Sequence, residues 1–188
     1  MTANLELWLV RHGETTRSVA KEIAGWSDPP LTERGRRQAK ALRPKLHGED
    51  FDGVWCSDLQ RAKATAALAW GDAALDTRLR EFNFGEMEEL PFEAIDPGLA
   101  AQAMRFRDFH APGGENNAVF RARLDEFLED LPQGRHLLFV HGGVIRSLVQ
   151  DLGIDRFVAT CSVVGVDWSA QRLLFVDEPE DAEAVFEK

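Results

Sequence analysis

Nowhere in the sequence does an apolar run approach the roughly eighteen residues that a membrane span needs. Met1-Thr2-Ala3-Asn4 likewise carries no basic stretch ahead of a hydrophobic signal core, so a cytoplasmic protein with no membrane partner is expected. Surplus positive charge is missing too: 22 Lys and Arg stand against 32 Asp and Glu, a formal net charge of −10. That balance argues against a nucleic-acid partner, whose binding rests on neutralised phosphates. It leaves room for a small anion held by a local cluster of arginines. Cysteine is scarce, and Cys56 and Cys161 each adjoin a predicted strand, which reads as two buried thiols in a reducing compartment. Neither a Cys and His metal cluster nor an internal repeat is visible, so no metal and no cofactor is expected. Tyrosine is absent altogether.

What is present suffices for a folded domain. Apolar residues make up 44% and charged residues 29%, ordinary globular values that leave no case for general disorder. A single domain over 1–188 is expected, since a chain of this size buries roughly 70% of the surface its unfolded form exposes.

Two turns share one design. Leu5 to Val10 is a short apolar run that reads as a buried strand, and it stops at Arg11-His12-Gly13. His136 to Val140 is a second buried strand, and it stops at His141-Gly142-Gly143. Open α/β sheets place ligands just beyond the carboxyl ends of their strands, so two such strands lying side by side would bring both imidazoles to one crevice. Arginine offers a planar fork of donors for phosphate, neutral imidazole is a nucleophile near neutral pH, and a glycine-rich helix start can point backbone N–H groups at an anion.

The intervening chain supplies more strand exits. Thr16 to Ala24 shows no clean periodicity, and Gly25 to Pro30 reads as a loop. Thr32 caps a helix to about Leu46, weakened by Gly35; Gly53 to Ser57 is a strand; and Ser57 or Asp58 caps a helix from Leu59 to Trp70 that carries Arg61 in its first turn. Taken alone, Arg61 reads as a solvated helical arginine. Leu75 to Leu79 is a third strand, followed by a loop in which burial of Glu81 against Phe82 or Phe84 would make it a better proton donor, while Glu86, Glu88 and Glu89 read as solvated. Pro91 to Phe109 is broadly helical and ends before a turn at Ala111 to Glu115, with Arg105 and Arg107 read as solvent-facing. Asn116 or Asn117 opens an amphipathic helix to Leu131, a helix runs from about Val144 to Leu152, and Val163–Trp168 pairs antiparallel with Arg172–Val176. The acidic tail from Asp177 reads as a loose helix or a disordered end.

Taken in order, these motifs resemble the histidine phosphatase superfamily, which includes cofactor-dependent phosphoglycerate mutases. The resemblance rests on Arg11-His12-Gly13-Glu14-Thr15, Gly25-x-x-Asp28-x-Pro30-Leu31-Thr32 with Gly35, and Ser57-x-Leu59-x-Arg61-Ala62. It continues through Leu79-x-Glu81-x-x-x-Gly85-x-x-Glu88, Pro112-x-Gly114-Glu115 and Val140-His141-Gly142-Gly143. It implies an α/β fold, a three-layer sandwich with a mostly parallel central sheet flanked by helices, and a small helical and loop cover at about 82–115 over the active site. It implies His12 as the nucleophile, Arg11, Arg61 and His141 on the phosphoryl oxygens, and Glu81 as the acid for the leaving alcohol. Gly142, Thr15 and Ser18 are further substrate-binding candidates; Thr15 equally fits a turn or cap, and Ser18 stands where many relatives have asparagine. Glu89 stands where glycine is usual.

The expected activity is metal-independent hydrolysis of a small phosphorylated metabolite through phosphohistidine. The alternatives are mutase-type phosphoryl transfer and a non-catalytic phospho-ligand-binding relative. Mutase-type relatives resemble Glu-Arg-x-Tyr-Gly around the acid, whereas this chain reads Glu81-Phe82-Asn83-Phe84-Gly85 and has no tyrosine, which favours hydrolysis. The segment also resembles the α-ribazole phosphatase branch. The sequence leaves both a monomer and a homodimer open.

Overall fold

The computed structural model describes residues 4–180, so 181–188 of the acidic tail lie outside the described residues. Strands β1 (Leu5–Arg11), β2 (Gly53–Cys56), β3 (Ala74–Leu75), β4 (Gly134–Val140), β5 (Val163–Asp167) and β6 (Arg172–Asp177) form one sheet in the order β3-β2-β4-β1-β5-β6. The pairs β2/β3, β2/β4 and β1/β4 are parallel, while β1/β5 and β5/β6 are antiparallel. Adjacent parallel strands β1 and β4 run in register from Leu5 opposite Gly134 to Arg11 opposite Val140. His12 and His141, each the next residue, therefore leave the sheet side by side.

Side chains alternate between faces along a strand, and β1 shows it. Leu5, Leu7 and Leu9 join one buried cluster, whereas Trp8 and Val10 join another on the opposite face. The helices are α1 (Thr16–Ala20), α2 (Glu33–Ala41), α3 (Arg43–Leu46), α4 (Gln60–Ala69), α5 (Pro97–Arg105), α6 (Asn117–Asp130) and α7 (Gly142–Val149). Residues of α2, α3 and α4 pack with Trp8, and residues of α5, α6 and α7 pack with Leu7, giving the three layers. On α6, the expected face of Phe120, Leu124, Phe127, Leu128 and Leu131 is buried. Both cysteines are buried, and burial pushes the Cys56 thiol up to about 12. No helix among the described residues is long and apolar enough to cross a membrane.

Several elements differ from the pattern read in the sequence. The helix expected over 32–46 splits at Leu42, because Pro44 sits in the first turn of α3 and cannot donate to a continuous helix. The stretch Thr16 to Ala24 contains α1, whose cap was hidden in a polar run: Thr15 and Ser18 form a reciprocal capping box. The strand expected at 75–79 is reduced to Ala74–Leu75 followed by a single turn of 3₁₀ helix at Thr77–Leu79, started by the Asp76 side chain. The helix expected over 91–109 is broken. Its regular part is Pro97–Arg105, and Phe106, at φ 52, ends it in the left-handed region. The helix after β4 starts at Gly142 rather than Val144 and ends at Val149, with a 3₁₀ turn at Gln150–Leu152. The described part of the acidic tail is partly ordered: Asp177 closes β6, and Glu178 pairs with Arg156 and accepts the Ala159 N–H at 2.9 Å.

Candidate active site

Beyond the carboxyl ends of β1 and β4 lies a cavity of about 220 Å³. Arg11, His12, Thr15, Ser18, Arg61, Glu81 and Gly142 line it. His141 is fully buried beside His12, with ring centroids 5.3 Å apart.

The loop after β1 is held by close backbone packing. The His12 N–H donates to the Val140 carbonyl at 3.0 Å, and the Gly13 N–H donates to Thr65 Oγ1 at 2.9 Å. A Cβ on Gly13 would lie 2.6 Å from the Gly35 carbonyl oxygen, and one on Gly35 would lie 2.1 Å from the Glu14 carbonyl oxygen. Gly35 thus weakens α2 as a helix former yet is what lets α2 approach this turn. His12 Nδ1 is 2.8 Å from the Gly13 carbonyl oxygen. A carbonyl only accepts, so Nδ1 carries the proton, and neutral His12 keeps its lone pair on Nε2.

Two guanidinium groups flank the ring. Arg11 donates from Nη1 to the Val158 carbonyl. Arg61 is fully buried, against the expectation of a solvated helical arginine. It donates from Nη2 to the Gly25 carbonyl at 2.7 Å and from Nη1 to the Ser27 carbonyl at 2.9 Å. Arg11 Nε, Arg61 Nε and His141 Nδ1 are buried with no hydrogen-bond partner among the described residues. Burial lowers the Arg11 pKa to about 10, partly offset by the charge of Glu81, and lowers that of Arg61 as well. Burial, then the two arginines, hold His12 well below the usual histidine range; burial and Arg61 do the same to His141. Both rings are therefore neutral at pH 7. Concentrated, dehydrated positive charge of this kind is offset by an anion placed among it.

Glu81 is buried, and its carboxylate is fixed at both oxygens. Oε1 accepts the Phe82 N–H at 2.8 Å and Oε2 accepts the Gly143 N–H at 3.0 Å. A Cβ on Gly143 would sit 2.2 Å from Glu81 Oε1, so only glycine admits the carboxylate there. The Glu81 carbonyl accepts from Trp26 Nε1 at 2.7 Å and from Arg123 Nη2 at 2.8 Å. His141 Nε2 lies 2.8 Å from Ser57 Oγ at the end of β2.

Two of the three further binding candidates, Thr15 and Ser18, have local duties. Thr15 is buried and caps α1, accepting the Ser18 N–H, while Ser18 Oγ accepts the Thr15 N–H at 2.8 Å. The N-terminus of α4 is capped neither by Ser57 nor by Asp58 in the expected way. Leu59 is the N-cap without a side-chain bond, Asp58 pairs with Arg80 at 2.5 Å, and Asp28 accepts the Gln60 N–H at 2.7 Å from across the site. The cause is positional: Asp58 lies one residue too early, and Arg80 outcompetes the weaker backbone donor.

Glu88 is the residue that local pattern misjudges most. Instead of standing in solvent, its Oε1 accepts the Trp26 N–H at 2.8 Å and the Phe84 N–H at 3.1 Å, and its Oε2 accepts the Ser27 N–H at 2.7 Å. It thereby ties the loop that supplies carbonyls to Arg61 to the loop that follows Glu81. Its place three residues after Gly85 in an ordered motif was the available signal. Arg123, which gathers the carbonyls of Arg78, Arg80 and Glu81 while pairing with Glu115 at 2.8 Å, left none. Glu89 adopts φ 68, which accounts for glycine being usual there. Arg107 pairs with Asp151 at 3.1 Å. No group of three or more His, Cys, Asp or Glu among the described residues is placed to hold a metal ion.

The family model of the histidine phosphatase superfamily (branch 1) matches residues 7–177. The chain belongs to the histidine phosphatase superfamily. This superfamily member is 34% identical over 161 residues to an adenosylcobalamin/alpha-ribazole phosphatase of Escherichia coli, covering 79% of each chain. It is 33% identical over 189 residues to a protein of Salmonella choleraesuis named probable phosphoglycerate mutase GpmB, covering 90% of this chain and 88% of that one. A crystal structure named phosphoglycerate mutase, from Thermus thermophilus, superposes with a TM-score of 0.87 at 41% identity, covering 94% of this chain and all of the other. The fold and the family are thus settled together, and the relatives are named for both hydrolysis and transfer.

Proposed function

We propose that the protein is a metal-independent phosphomonoesterase that hydrolyses a small phosphorylated metabolite through a phosphohistidine. The observation that carries this reading is His12 itself: a neutral ring, its proton committed to the Gly13 carbonyl, with Nε2 free between two buried arginines. Nε2 attacks phosphorus in line with the ester oxygen; the N–P bond forms as the P–O bond breaks. Arg11 and Arg61 stabilise the charge spread over the equatorial oxygens, the part a metal plays elsewhere. Ser57 donates to His141 Nε2, which leaves His141 Nδ1–H as a further donor to the phosphoryl group. Glu81 takes the acidic proton of the bound phosphomonoester monoanion and passes it to the departing alkoxide; the resulting carboxylate then takes a proton from water as the water attacks phosphorus and the N–P bond breaks.

Transfer to a second hydroxyl in place of water is the other reading, favoured by the mutase name of the Thermus thermophilus neighbour. The test is to follow phosphate release from a panel of phosphomonoesters in chelator, with wild type and His12→Ala, and to look for an acid-labile phosphoenzyme. Release by wild type alone is expected. Turnover by His12→Ala removes the nucleophile, loss of wild-type turnover in chelator removes the metal-free mechanism, and phosphoryl transfer without release favours the mutase. Glu81→Gln is expected to slow esters of poor leaving groups far more than activated aryl esters; equal losses count against the acid role.

A further inference from the structure

Above the cationic floor, the cavity changes character. Ile23, Phe84, Phe92, Met104 and Phe157 contribute to its lining, from separate segments of the chain. This apolar wall is built rather than incidental. Buried Arg146 donates from Nη1 to the Met104 carbonyl at 2.8 Å and stands 4.9 Å from the Phe157 ring centroid, so one guanidinium fixes two members of the wall. The Phe157 ring also meets Phe106 edge-on at 5.5 Å. On the other side, the Phe92 N–H donates to the Lys21 carbonyl at 2.9 Å, and Phe84 is locked by the Glu88 contact at its N–H. Preformed apolar surface of this kind binds with little ordering cost.

The charged groups that line the rest of the cavity balance each other. Two carboxylates, Glu14 and Glu22, match two cations, Lys21 and Arg34, in number; Arg34 pairs with Glu14 at 3.1 Å, and Glu22 pairs with Arg17 at 2.6 Å. With Arg11 and Arg61 serving the phosphoryl group, no net positive charge is left over for a second anionic group.

From these two features, and resting on the phosphatase reading above, we infer that the alcohol released is neutral and carries an apolar ring or branched alkyl body, which lies against Phe84, Phe92, Met104 and Phe157. A carboxylated alcohol such as a glycerate is disfavoured, because it would bring uncompensated negative charge against an apolar wall.

The experiment compares kcat/KM for benzyl phosphate, glycerol 2-phosphate and 3-phosphoglycerate, together with calorimetric binding of benzylphosphonate and phosphonoacetate to wild type, which reads the wall without turnover. Benzyl alcohol is no better a leaving group than glycerol, so a benzyl preference reports binding. Benzyl phosphate is expected to exceed glycerol 2-phosphate by about tenfold, the discrimination an apolar pocket supplies, with 3-phosphoglycerate lowest and benzylphosphonate bound more tightly than phosphonoacetate. Phe92→Ser and Met104→Ser should each lower the benzyl to glycerol ratio, a readout that partial unfolding does not change. Equal values across the esters, or preference for the carboxylated ligands, overturn the inference while leaving the phosphatase reading intact. Absence of turnover with the phosphonate preference preserved sinks the phosphatase reading and supports the wall.

Discussion

Replacing Glu88 by glutamine changes one atom and should disturb both lobes of the candidate site. The carboxylate serves three backbone donors, two on Oε1 and one on Oε2. Glutamine can keep its carbonyl at the Oε1 position, but its NH₂ then faces the Ser27 N–H, donor against donor. Hydrogen bonds to a charged acceptor contribute about 1.5–3 kcal/mol each, against about 1 for neutral ones. One lost bond and two weakened ones therefore total about 2.5–7 kcal/mol, and solvent access near Trp26, which is 37% exposed, trims this to about 2–4 kcal/mol. For a chain of this size each kcal/mol moves the midpoint of thermal unfolding by about 2–4 °C, so a drop on the order of 10 °C is expected.

The catalytic consequence runs through Arg61. Its two terminal nitrogens rest on the Gly25 and Ser27 carbonyls, which the Glu88 contacts hold in place. Complete loss of one charge-assisted contact to the transition state costs roughly 3–4 kcal/mol. Loosening the mount while keeping the arginine should forfeit about a third of that, close to tenfold in kcat/KM. Urea unfolding and kcat/KM on benzyl phosphate, both measured below the unfolding transition, provide the assay, with exposed Glu86→Gln as the control. If Glu88→Gln matches Glu86→Gln in stability and rate, the carboxylate does not brace the two loops.

Two further outcomes follow from the same geometry. His12 and His141 are depressed in the folded state relative to the ordinary value of 6.5, so below that value the unfolded chain binds more protons and stability must fall as pH falls. The slope approaches about 1.4 kcal/mol per pH unit per histidine between pH 6.5 and 5, above the range where the depressed carboxylates Asp58, Asp76 and Glu178 titrate. Urea unfolding at intervals of pH checks this, His12→Ala should remove its share, and a flat profile would show that the rings are not buried neutral. Glu89→Gly should leave stability unchanged or raise it by up to about 1 kcal/mol, since glycine relieves the left-handed strain at φ 68 while the ion pair to Arg17, on a side chain 60% exposed, contributes less than that. A loss greater than about 1 kcal/mol would mean that the ion pair outweighs the backbone strain.

The parts of this molecule that were legible in its sequence are those where the local pattern and the tertiary requirement coincide. β1 and β4 are apolar because both faces are covered, and each ends where its chemistry begins, so the pairing of His12 with His141 followed from the strands being neighbours. The long amphipathic α6 was equally plain, because one face meets the core along its whole length. Legibility failed where a residue's environment is supplied from far along the chain. Asp58 looked like a cap until Arg80 arrived, and Glu88 looked solvated because two of its three donors lie in a loop about sixty residues away. Arg61 is the sharpest instance. Its charge opposes the helix dipole at the start of α4 and its burial opposes solvation, so no local rule places it there. The carbonyls of Gly25 and Ser27, with the charge of Glu81 and that of Asp28 3.6 Å away, make the position tolerable, and they leave Nε unpartnered. Stability alone would favour a smaller, uncharged residue at such a site. On the proposed reading, an anion held among Arg11, His12 and Arg61 offsets the rest of that cost. The feature that departs furthest from local propensity is therefore the one that points most directly at a phosphoryl group.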